Sequence, residues 1–332
     1  MRHAIVTGGA GFIGSHLVEH LLRQGTGVTV LDNFSTGTEA NLAVARGLGT
    51  LRVIEGTTTS RATLDAAMEG ADCVFHLAAV SGVQDCIGNW SGAHEANATA
   101  TIALFEAAQR AGPLPVVYAS SAAVYGDRSG ETCHEEMAER PISPYGADKL
   151  ACEHQARAFW HVHGLPTAGL RFFNVYGPRQ SSASPYAGAL AKFGRNCVEG
   201  RGHTIFGDGL QARDFVHVND AVRGLLAAMQ KLCEAPEALV CNICTGRSVS
   251  MLHLIDLIEH AGGRKPGHLL FEPARPGEIR HSRGDTARME SLLGLADPMT
   301  LEAGIRDTLR WMQSARAHRA AAAERRAASS AF

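Results

Sequence analysis

The stretch His3-Ala-Ile-Val-Thr-Gly-Gly-Ala-Gly-Phe-Ile-Gly-Ser-His-Leu17 decides the fold of this chain. It predicts a short apolar strand, a glycine-rich turn and the start of an amphipathic helix. Gly8, Gly11 and Gly14 have the spacing of a dinucleotide-binding turn. The first glycine permits the tight turn, the second lets the backbone approach a pyrophosphate, and the third lets helix and strand pack closely. We therefore expect a phosphate group at the N-terminus of this helix, where free N–H groups and the helix dipole favour an anion.

An acidic residue follows the next predicted strand, which covers Gly27–Leu31 and ends at Asp32. A carboxylate at this place can accept hydrogen bonds from the adenosine ribose and repel a 2′-phosphate, so Asp32 favours NAD over NADP as the cofactor. The alternative is that Asp32 only caps the end of a strand. The glycines that precede it make this alternative the weaker one.

Strands and helices are predicted to alternate through the first half of the chain. This alternation predicts an α/β fold with a Rossmann-type, doubly wound parallel sheet, on which ligands bind at the carboxyl ends of the strands. The further predicted strands are Leu51–Ile54, Cys73–His76, Val116–Ala119 and Thr167–Phe172, and the predicted helices are Ser60–Glu69, 93–111 and 145–163.

Tyr145 and Lys149 give the main indication of chemistry. On a helix these two residues share one face and lie one turn apart. Ser143 suits the cap of such a helix and Pro144 its first position. A Lys ammonium beside a phenol favours the phenolate, which makes Tyr145 a usable acid/base near neutral pH. A surface helix with a coincidental Tyr and Lys is the alternative, since this spacing is common.

Composition argues against several classes of protein. The 332 residues are 45% hydrophobic, and 31 Lys and Arg against 33 Asp and Glu leave no basic surplus for nucleic acid. Without an apolar run of membrane-spanning length or a signal peptide, we expect a cytoplasmic protein that does not enter membranes. Eight cysteines are scattered singly, apart from Cys241 and Cys244 in a predicted strand. We expect buried thiols, with no disulfide and no metal site.

The character of the sequence changes after Phe173. Turn-rich segments with three arginines predict a smaller α/β substrate-binding lobe, in which Arg179, Arg213 and Arg275 could hold a diphosphate through forked hydrogen bonds. Each arginine taken singly is more typical of a solvated surface charge, whereas three in the loops of one lobe favour a function. The predicted loops are Asn174–Ala187, Phe206–Arg213 and Pro266–Pro276. The predicted domains are an NAD-binding domain at 1–173 rejoined by about 215–246, the lobe at 174–214 and 247–313, and a frayed or disordered tail at 314–332.

Six segments in this order resemble the extended short-chain dehydrogenase/reductase family, and within it the NAD-dependent nucleotide-sugar epimerases and dehydratases. The resemblance extends over residues 3–313, nearly the whole chain. The segments are Thr7–Ser15, Asp32, His76–Ala79, Tyr118–Gly126, Tyr145 with Lys149, and Arg171–Arg179.

The resemblance implies a role for each matching residue. Tyr145 is implied as the catalytic acid/base, Lys149 lowers its pKa and bonds the nicotinamide ribose, and Ser121 hydrogen-bonds the sugar hydroxyl. The implied NAD ligands are Gly8, Gly11, Phe12, Ile13, Gly14, Asp32, Asn33, Ala78 and Lys149. The implied ligands of the nucleotide diphosphate and its ribose are Asn174, Arg213, Arg275 and Glu278. The chain departs from the family pattern at Thr57, Gly82, Cys86 and Ala123.

The activity that the resemblance implies is 4-epimerisation of a UDP-hexose through a transient 4-keto sugar. A count along the family pattern places Ser282 beside the sugar C2 substituent, where a small side chain implies that N-acetylated sugars are also accepted. Another epimerase, a dehydratase, a reductase or a non-catalytic NAD-binding protein are the alternatives. Dehydration is disfavoured because Ala122 and Ala123 offer no acid/base after Ser121. Apolar positions in 94–111 and 145–163 imply a homodimer.

Overall fold

The computed structural model describes residues 1–128, 130–182, 188–264 and 267–329, and within them it describes side chains up to residue 317. Parts of three predicted segments lie outside the described residues. These parts are residues 183–187 of the first predicted loop of the lobe, residue 266 of the third, and residues 330–332 of the predicted tail.

A seven-stranded parallel sheet forms the centre of the larger domain. With the strands numbered in chain order, their order across the sheet is β10-β6-β5-β4-β1-β2-β3. This order confirms the predicted Rossmann-type sheet, and the predicted strands match the observed ones to within two residues. The strands are β1 (His3–Thr7), β2 (Gly27–Asp32), β3 (Leu51–Glu55), β4 (Cys73–His76), β5 (Val116–Ser121), β6 (Thr167–Phe172), β7 (Asn174–Tyr176), β8 (His203–Phe206), β9 (Ala212–His217), β10 (Ala238–Ile243), β11 (Ser248–Ser250) and β12 (Leu269–Glu272).

Helices cover both faces of this sheet, which is why its strands are apolar on both sides. Helices α2, α5 and α6 pack on one face and α1 and α8 on the other. The helices are α1 (Phe12–Arg23), α2 (Arg61–Met68), α3 (Val83–Gly88), α4 (Trp90–His94), α5 (Ala100–Arg110), α6 (Pro144–His163), α7 (Ala189–Glu199), α8 (Val218–Glu234), α9 (Met251–Ala261), α10 (Ala287–Leu293) and α11 (Leu301–Ser329).

Helix α6 begins and ends where its sequence predicts. The Ser143 Oγ atom accepts a hydrogen bond from the Gly146 N–H at 3.1 Å, and Pro144 occupies the first turn. At the other end Gly164 adopts a left-handed conformation with φ 67°, which stops the helix at little steric cost. The two turns that carry Tyr145 and Lys149 are therefore anchored at the helix N-terminus.

The smaller lobe contains a three-stranded sheet, β11-β9-β7, and a two-stranded sheet, β12-β8, packed with α7, α9 and α11. Two of its strands, β7 and β12, lie within segments that the sequence predicts as loops, and the prediction is wrong there. Both strands pair with segments distant in sequence, so local turn residues do not reveal them. Helix α10, predicted as part of the lobe, instead buries Met289 and Leu293 in the core of the larger sheet.

The single helix predicted over 93–111 is interrupted. Helix α4 is followed by a π-helical turn at Glu95–Thr99 before α5 begins. The turn carries buried Asn97, whose amide group binds the backbone of Val80 twice, at 2.8 Å from Val80 N and 3.1 Å from Val80 O. This wider turn thus anchors the loop that follows β4, an arrangement often found beside functional sites.

Candidate active site

A cleft of about 1310 Å³ runs between the carboxyl edge of the large sheet and the smaller lobe. Each residue that the sequence predicts as catalytic, cofactor-binding or substrate-binding lines this cleft. On the sheet side these residues are Gly8, Gly11, Phe12, Ile13, Gly14, Asp32, Asn33, Ala78, Ser121, Tyr145 and Lys149, and on the lobe side they are Asn174, Arg213, Arg275, Glu278 and Ser282.

The glycine-rich turn at the start of α1 is packed too closely for side chains at Gly8 and Gly14. A Cβ atom on Gly8, which has φ +68°, would lie 2.7 Å from Ala78 N, and one on Gly14 would lie 2.1 Å from Gly8 O. The cap position is Gly11, which has no side chain to occupy the first N–H groups of the helix. The turn therefore fits the pyrophosphate of a dinucleotide, which binds where the backbone is closely packed and the first N–H groups of the helix are free.

Asp32 lies at the end of β2 and is nearly buried. Its Oδ2 atom accepts a hydrogen bond from Ala10 N at 2.9 Å, and its Oδ1 atom accepts one from Phe34 N at the same distance. A carboxylate oxygen has a second lone pair, so both oxygens can still accept a ribose hydroxyl. The position and chemistry of Asp32 thus fit the adenosine ribose of NAD.

The catalytic candidates come from two different elements. Tyr145 and Lys149 lie on α6, with the Lys149 Nζ atom 5.7 Å from the centre of the Tyr145 ring. Ser121 ends β5, and its Oγ atom accepts a hydrogen bond from Ala123 N at 3.1 Å. Gly146 lets α6 approach the turn after Ser121, since a Cβ atom there would lie 2.6 Å from the Ala123 carbonyl oxygen. The close packing brings both elements to one end of the cleft.

His76 lies behind this end of the cleft and is buried between two hydroxyl groups. Its Nδ1 atom is 2.7 Å from Thr7 Oγ1 and its Nε2 atom 3.0 Å from Thr101 Oγ1. Burial, and secondarily the positive charge of Lys149, lower the pKa of His76 to about 3. The imidazole is therefore neutral at physiological pH, and Lys149 is not opposed by a second cation from this side.

Two of the three predicted arginines are held in place on the lobe side of the cleft. Arg213 is held by hydrogen bonds to the carbonyl oxygens of Ala212 and Arg280, at 3.0 and 3.2 Å. Burial lowers the pKa of Arg213, and the nearby Glu278 opposes this shift. The Arg275 guanidinium stacks 3.5 Å from the centre of the Phe206 ring. Both cations line the cleft on the lobe side.

Arg179 is placed differently. It also lines the cleft, but its guanidinium forms an ion pair with Glu19 of α1, and it has a left-handed φ of 68°. The ion pair ties the start of the lobe to the first helix of the large domain. This contact is a structural role that the sequence does not indicate.

The sequence also fails to indicate two charged residues of the lobe. Lys192 on α7 lines the cleft, and its pKa is lowered by burial and then by the positive charge of Arg275. Asp214 on β9 is fully buried and accepts hydrogen bonds from Thr245 N, Thr245 Oγ1 and Gly246 N at 2.9, 2.6 and 3.0 Å. The only sequence signal for Asp214 is its position beside Arg213.

The departures from the family pattern fall in two places. Thr57, Gly82 and Ala123 line the cleft, whereas Cys86 is buried with its thiol directed at the Val80 carbonyl oxygen. Cys86 is therefore part of the support of the loop after β4. All eight cysteines are free thiols, and only Cys233 is exposed.

The described part of the chain contains neither a candidate metal site nor a membrane-spanning helix. No group of three or more His, Cys, Asp or Glu side chains there could hold a metal ion. No helix in the same residues combines the length and apolarity needed to cross a membrane.

A family model described as the NAD dependent epimerase/dehydratase family matches residues 4–244. The chain belongs to this family. A UDP-glucose 4-epimerase of Mycolicibacterium smegmatis is 34% identical over 317 residues, which are 93% of this chain and 98% of the relative. A dTDP-glucose 4,6-dehydratase of Streptomyces griseus is also 34% identical, over 93% of both chains.

Solved structures of family members superpose on nearly the whole chain. A UDP-N-acetylglucosamine 4-epimerase of Methanobrevibacter ruminantium M1, in complex with UDP-N-acetylmuramic acid, has a TM-score of 0.88 and 32% identity over 94% of this chain and 98% of that one. MoeE5 in complex with UDP-glucose and NAD has a TM-score of 0.85 and 34% identity, over 94% and 99%. The chain is therefore an NAD-dependent enzyme of the nucleotide-sugar epimerase/dehydratase family.

Proposed function

We propose that this enzyme is a 4-epimerase of UDP-hexoses. Its substrates are the pair UDP-glucose and UDP-galactose, together with the N-acetylated pair UDP-N-acetylglucosamine and UDP-N-acetylgalactosamine. The observation that carries the proposal is that Ser121, Tyr145 and Lys149 lie together at one end of the cleft, next to Ala122 and Ala123. The first three supply proton transfer, and the two alanines supply no acid or base for elimination.

Each catalytic residue has a defined task in this reaction. Tyr145 takes the proton of the sugar 4-hydroxyl group and later returns a proton to the 4-keto oxygen. Lys149 stabilises the phenolate of Tyr145 by its positive charge, and Ser121 Oγ orients the sugar hydroxyl by a hydrogen bond. NAD, when bound, would supply the hydride acceptor and donor for sugar C4. The 4-keto sugar must turn over between the two transfers, in a cleft of about 1310 Å³ that would also hold the nucleotide and NAD.

The nucleotide is held on the lobe side. Arg213 and Arg275 supply the positive charge for the diphosphate, with Lys192 near Arg275 as a third cation. Asn174 and Glu278 line the same part of the cleft and supply hydrogen-bonding groups for the rest of the nucleotide. Binding through the nucleotide leaves the hexose free to rotate. The reaction requires this rotation, because hydride leaves C4 from one face of the sugar and returns to the other face.

Ser282 supports the N-acetylated pair as a substrate. It lines the cleft, is 8% exposed, and donates its backbone N–H to the Ala212 carbonyl oxygen at 3.1 Å. The small side chain leaves volume for an acetamido group at sugar C2, whereas an aromatic ring at this place would fill it.

A 4,6-dehydratase is the second candidate, because a relative of that name is as similar in sequence as the epimerase. Elimination needs an additional acid/base near sugar C5 and C6. The position directly after Ser121 holds alanine, so this chain lacks an ionisable group there. A 4,6-dehydratase would form a 4-keto-6-deoxy sugar, whereas a 4-epimerase forms the 4-epimer of its substrate, so the product distinguishes the two candidates.

The test is product analysis with purified enzyme and four UDP-sugars, the glucose, galactose, N-acetylglucosamine and N-acetylgalactosamine forms. Nuclear magnetic resonance of the products should show the 4-epimer of each, and Tyr145→Phe should slow turnover roughly 10²–10⁴-fold while NAD binding persists. Formation of a 4-keto-6-deoxy sugar, or no conversion of any of the four, would contradict the proposal.

We further propose that the enzyme acts as a homodimer in the cytoplasm. The location is inferred from the sequence alone. The dimer is supported by apolar side chains on α5 and α6: Leu104, Phe105 and Phe159 pack in the core beside the sheet, whereas Ile102 is half-buried and Val162 is 72% exposed. The remaining apolar surface can pair with the same helices of a second copy. Light scattering at micromolar concentration should give twice the monomer mass, and a monomer mass would contradict the dimer.

A further inference from the structure

A buried polar cluster lies directly behind the catalytic elements. Ser120 on β5 and Arg171 on β6 are paired neighbours in the parallel sheet, on the face that α6 covers. Glu153 of α6 binds both of them. Its Oε1 atom accepts from Ser120 Oγ at 2.5 Å and from Arg171 Nε at 2.9 Å, and its Oε2 atom accepts from Arg171 Nη2 at 2.6 Å.

This cluster is placed so that it determines the distance between the catalytic groups. Tyr145, Lys149 and Glu153 follow one another at intervals of four residues, so they lie on one face of α6, one turn apart. Ser120 directly precedes Ser121, and the two side chains point to opposite faces of the sheet. The Glu153 carboxylate thus joins the helix of Tyr145 and Lys149 to the strand of Ser121.

A second branch of the cluster holds the other side of Ser121. The Arg171 guanidinium carbon lies 4.8 Å from the centre of the Tyr125 ring, and the Tyr125 hydroxyl donates to Asn242 Oδ1 at 2.8 Å. Tyr125 ends the short helical turn that begins after Ser121. Ser121 therefore lies between Ser120, which binds Glu153, and Tyr125, which contacts Arg171.

The burial of the cluster makes it rigid. The side chains of Arg171 and Glu153 are 2% and 1% exposed, and the Arg171 Nη2 atom also donates to Glu139 at 2.7 Å. A buried ion pair tolerates little displacement, because each charge would then be left unpaired in the protein interior. Such pairs contribute little net stability, so a positioning role accounts better for the burial of Arg171 and Glu153.

We propose that Glu153 is a positioning residue for catalysis, which sets the separation of Ser121 from Tyr145 by binding Ser120 and Arg171 at the same time. This inference rests on the proposed epimerase function, in which both hydroxyl groups must reach one sugar oxygen. Displacements of about 1 Å in such a geometry typically cost roughly 100-fold in rate.

The main test uses Ser120→Ala, which removes one hydroxyl group and leaves the Glu153–Arg171 pair intact. We expect kcat for the best UDP-hexose to fall roughly 10- to 100-fold, while KM and bound NAD per chain stay unchanged. The rate of reduction of bound NAD by substrate, followed in the near ultraviolet, should fall by the same factor. Glu153→Gln should likewise lower kcat and leave KM and bound NAD unchanged. The double variant should be no slower than the slower single variant, because both changes break the same contact.

Thr308→Val is the matched control. It removes a buried hydroxyl group that donates to Gly304 O at 2.8 Å within α11, and Thr308 itself does not line the cleft. The control should keep wild-type kcat even if its melting temperature falls. Wild-type kcat in Ser120→Ala, or equal loss of kcat in Ser120→Ala and Thr308→Val, would overturn the inference.

Hydrogen–deuterium exchange separates this inference from the proposed function. The backbone amides of residues 122–126 should exchange faster in Ser120→Ala than in wild type or Thr308→Val, with or without a substrate. If wild-type enzyme converts no UDP-hexose, the proposed function fails and the exchange result alone decides: faster exchange supports the positioning role, and unchanged exchange overturns it.

Discussion

The contact between α6 and the turn after Ser121 can be perturbed by adding a single methyl group. In Gly146→Ala the new Cβ atom would lie 2.6 Å from the carbonyl oxygen of Ala123 and 3.1 Å from its carbonyl carbon. Both are backbone atoms, so no flexible side chain can move aside. The helix and the turn must separate instead.

The required separation follows from the same distances. Ordinary van der Waals contact begins at 3.4 Å, so the first turn of α6 must move by about 0.8 Å relative to the Ala123 carbonyl group. Tyr145 is on the moving side and Ser121 on the other. A shift of this size predicts a loss of kcat of roughly 100-fold and a decrease in the free energy of unfolding of roughly 1–3 kcal/mol, as overpacking typically costs.

The assay compares kcat, KM, bound NAD and melting temperature of Gly146→Ala with wild type. Gly88→Ala is the control, because a Cβ atom on this helical glycine of α3 meets nothing within 4 Å. The control should match wild type in kcat and be equally or more stable, since alanine favours a helix. If Gly146→Ala retains wild-type kcat, the close packing of α6 on this turn does not position Tyr145.

Three further predictions concern cofactor, substrate and pH. Asp32→Ala should raise the Kd for NAD roughly 10- to 100-fold, as loss of a hydrogen bond to a charged group does; calorimetry showing an unchanged Kd would remove Asp32 from the ribose site. Ser282→Tyr should abolish turnover of the N-acetylated pair and spare UDP-glucose; unchanged kcat/KM for both pairs would refute this pocket assignment. Burial and then Lys149 lower the pKa of His76 from 6.5 to about 3, so the unfolded state binds the proton more tightly than the folded state. The contribution of neutral His76 to the free energy of unfolding should therefore be fully present above pH 6.5 and decrease as the pH drops from 6.5 towards 3. Denaturant titrations across that range should show a shallower slope in His76→Gln than in wild type, and equal slopes would contradict the assignment.

The large domain could be predicted from the sequence because its signals are local. Each strand of the parallel sheet is a short apolar run between turn residues, and the glycine-rich turn identifies the first βα unit. The predicted site residues then gather in one cleft because the carboxyl ends of parallel strands meet at one edge of the sheet.

The remainder depends on pairings between distant residues. Strand β7 forms only because β9 lies beside it, and β12 only because β8 does. The π-helical turn at Glu95–Thr99 is accompanied by the contact of Asn97 with Val80, which no local pattern encodes. Likewise the sequence marks Arg179 as a candidate ligand, whereas its ion pair with Glu19 becomes visible only in three dimensions.

The positioning cluster shows the same limit within the catalytic region. The sequence indicates Ser121, Tyr145 and Lys149 because their chemistry is recognisable at a fixed spacing. Ser120, Glu153 and Arg171 lie on three different elements, and their hydrogen bonds are formed only when β5, β6 and α6 pack together. Their role therefore could not be predicted from the order of residues.

The fate of the hydrogen at sugar C4 tests the proposed reaction most directly. Purified enzyme is incubated with UDP-galactose that carries deuterium at C4, and the product is analysed by nuclear magnetic resonance and mass spectrometry. A 4-epimerase returns the hydride to the carbon from which it came, so the account predicts UDP-glucose that retains deuterium at C4, formed far more slowly by Tyr145→Phe. Deuterium found at C6 of a 4-keto-6-deoxy sugar, or deuterium lost to water, would contradict it.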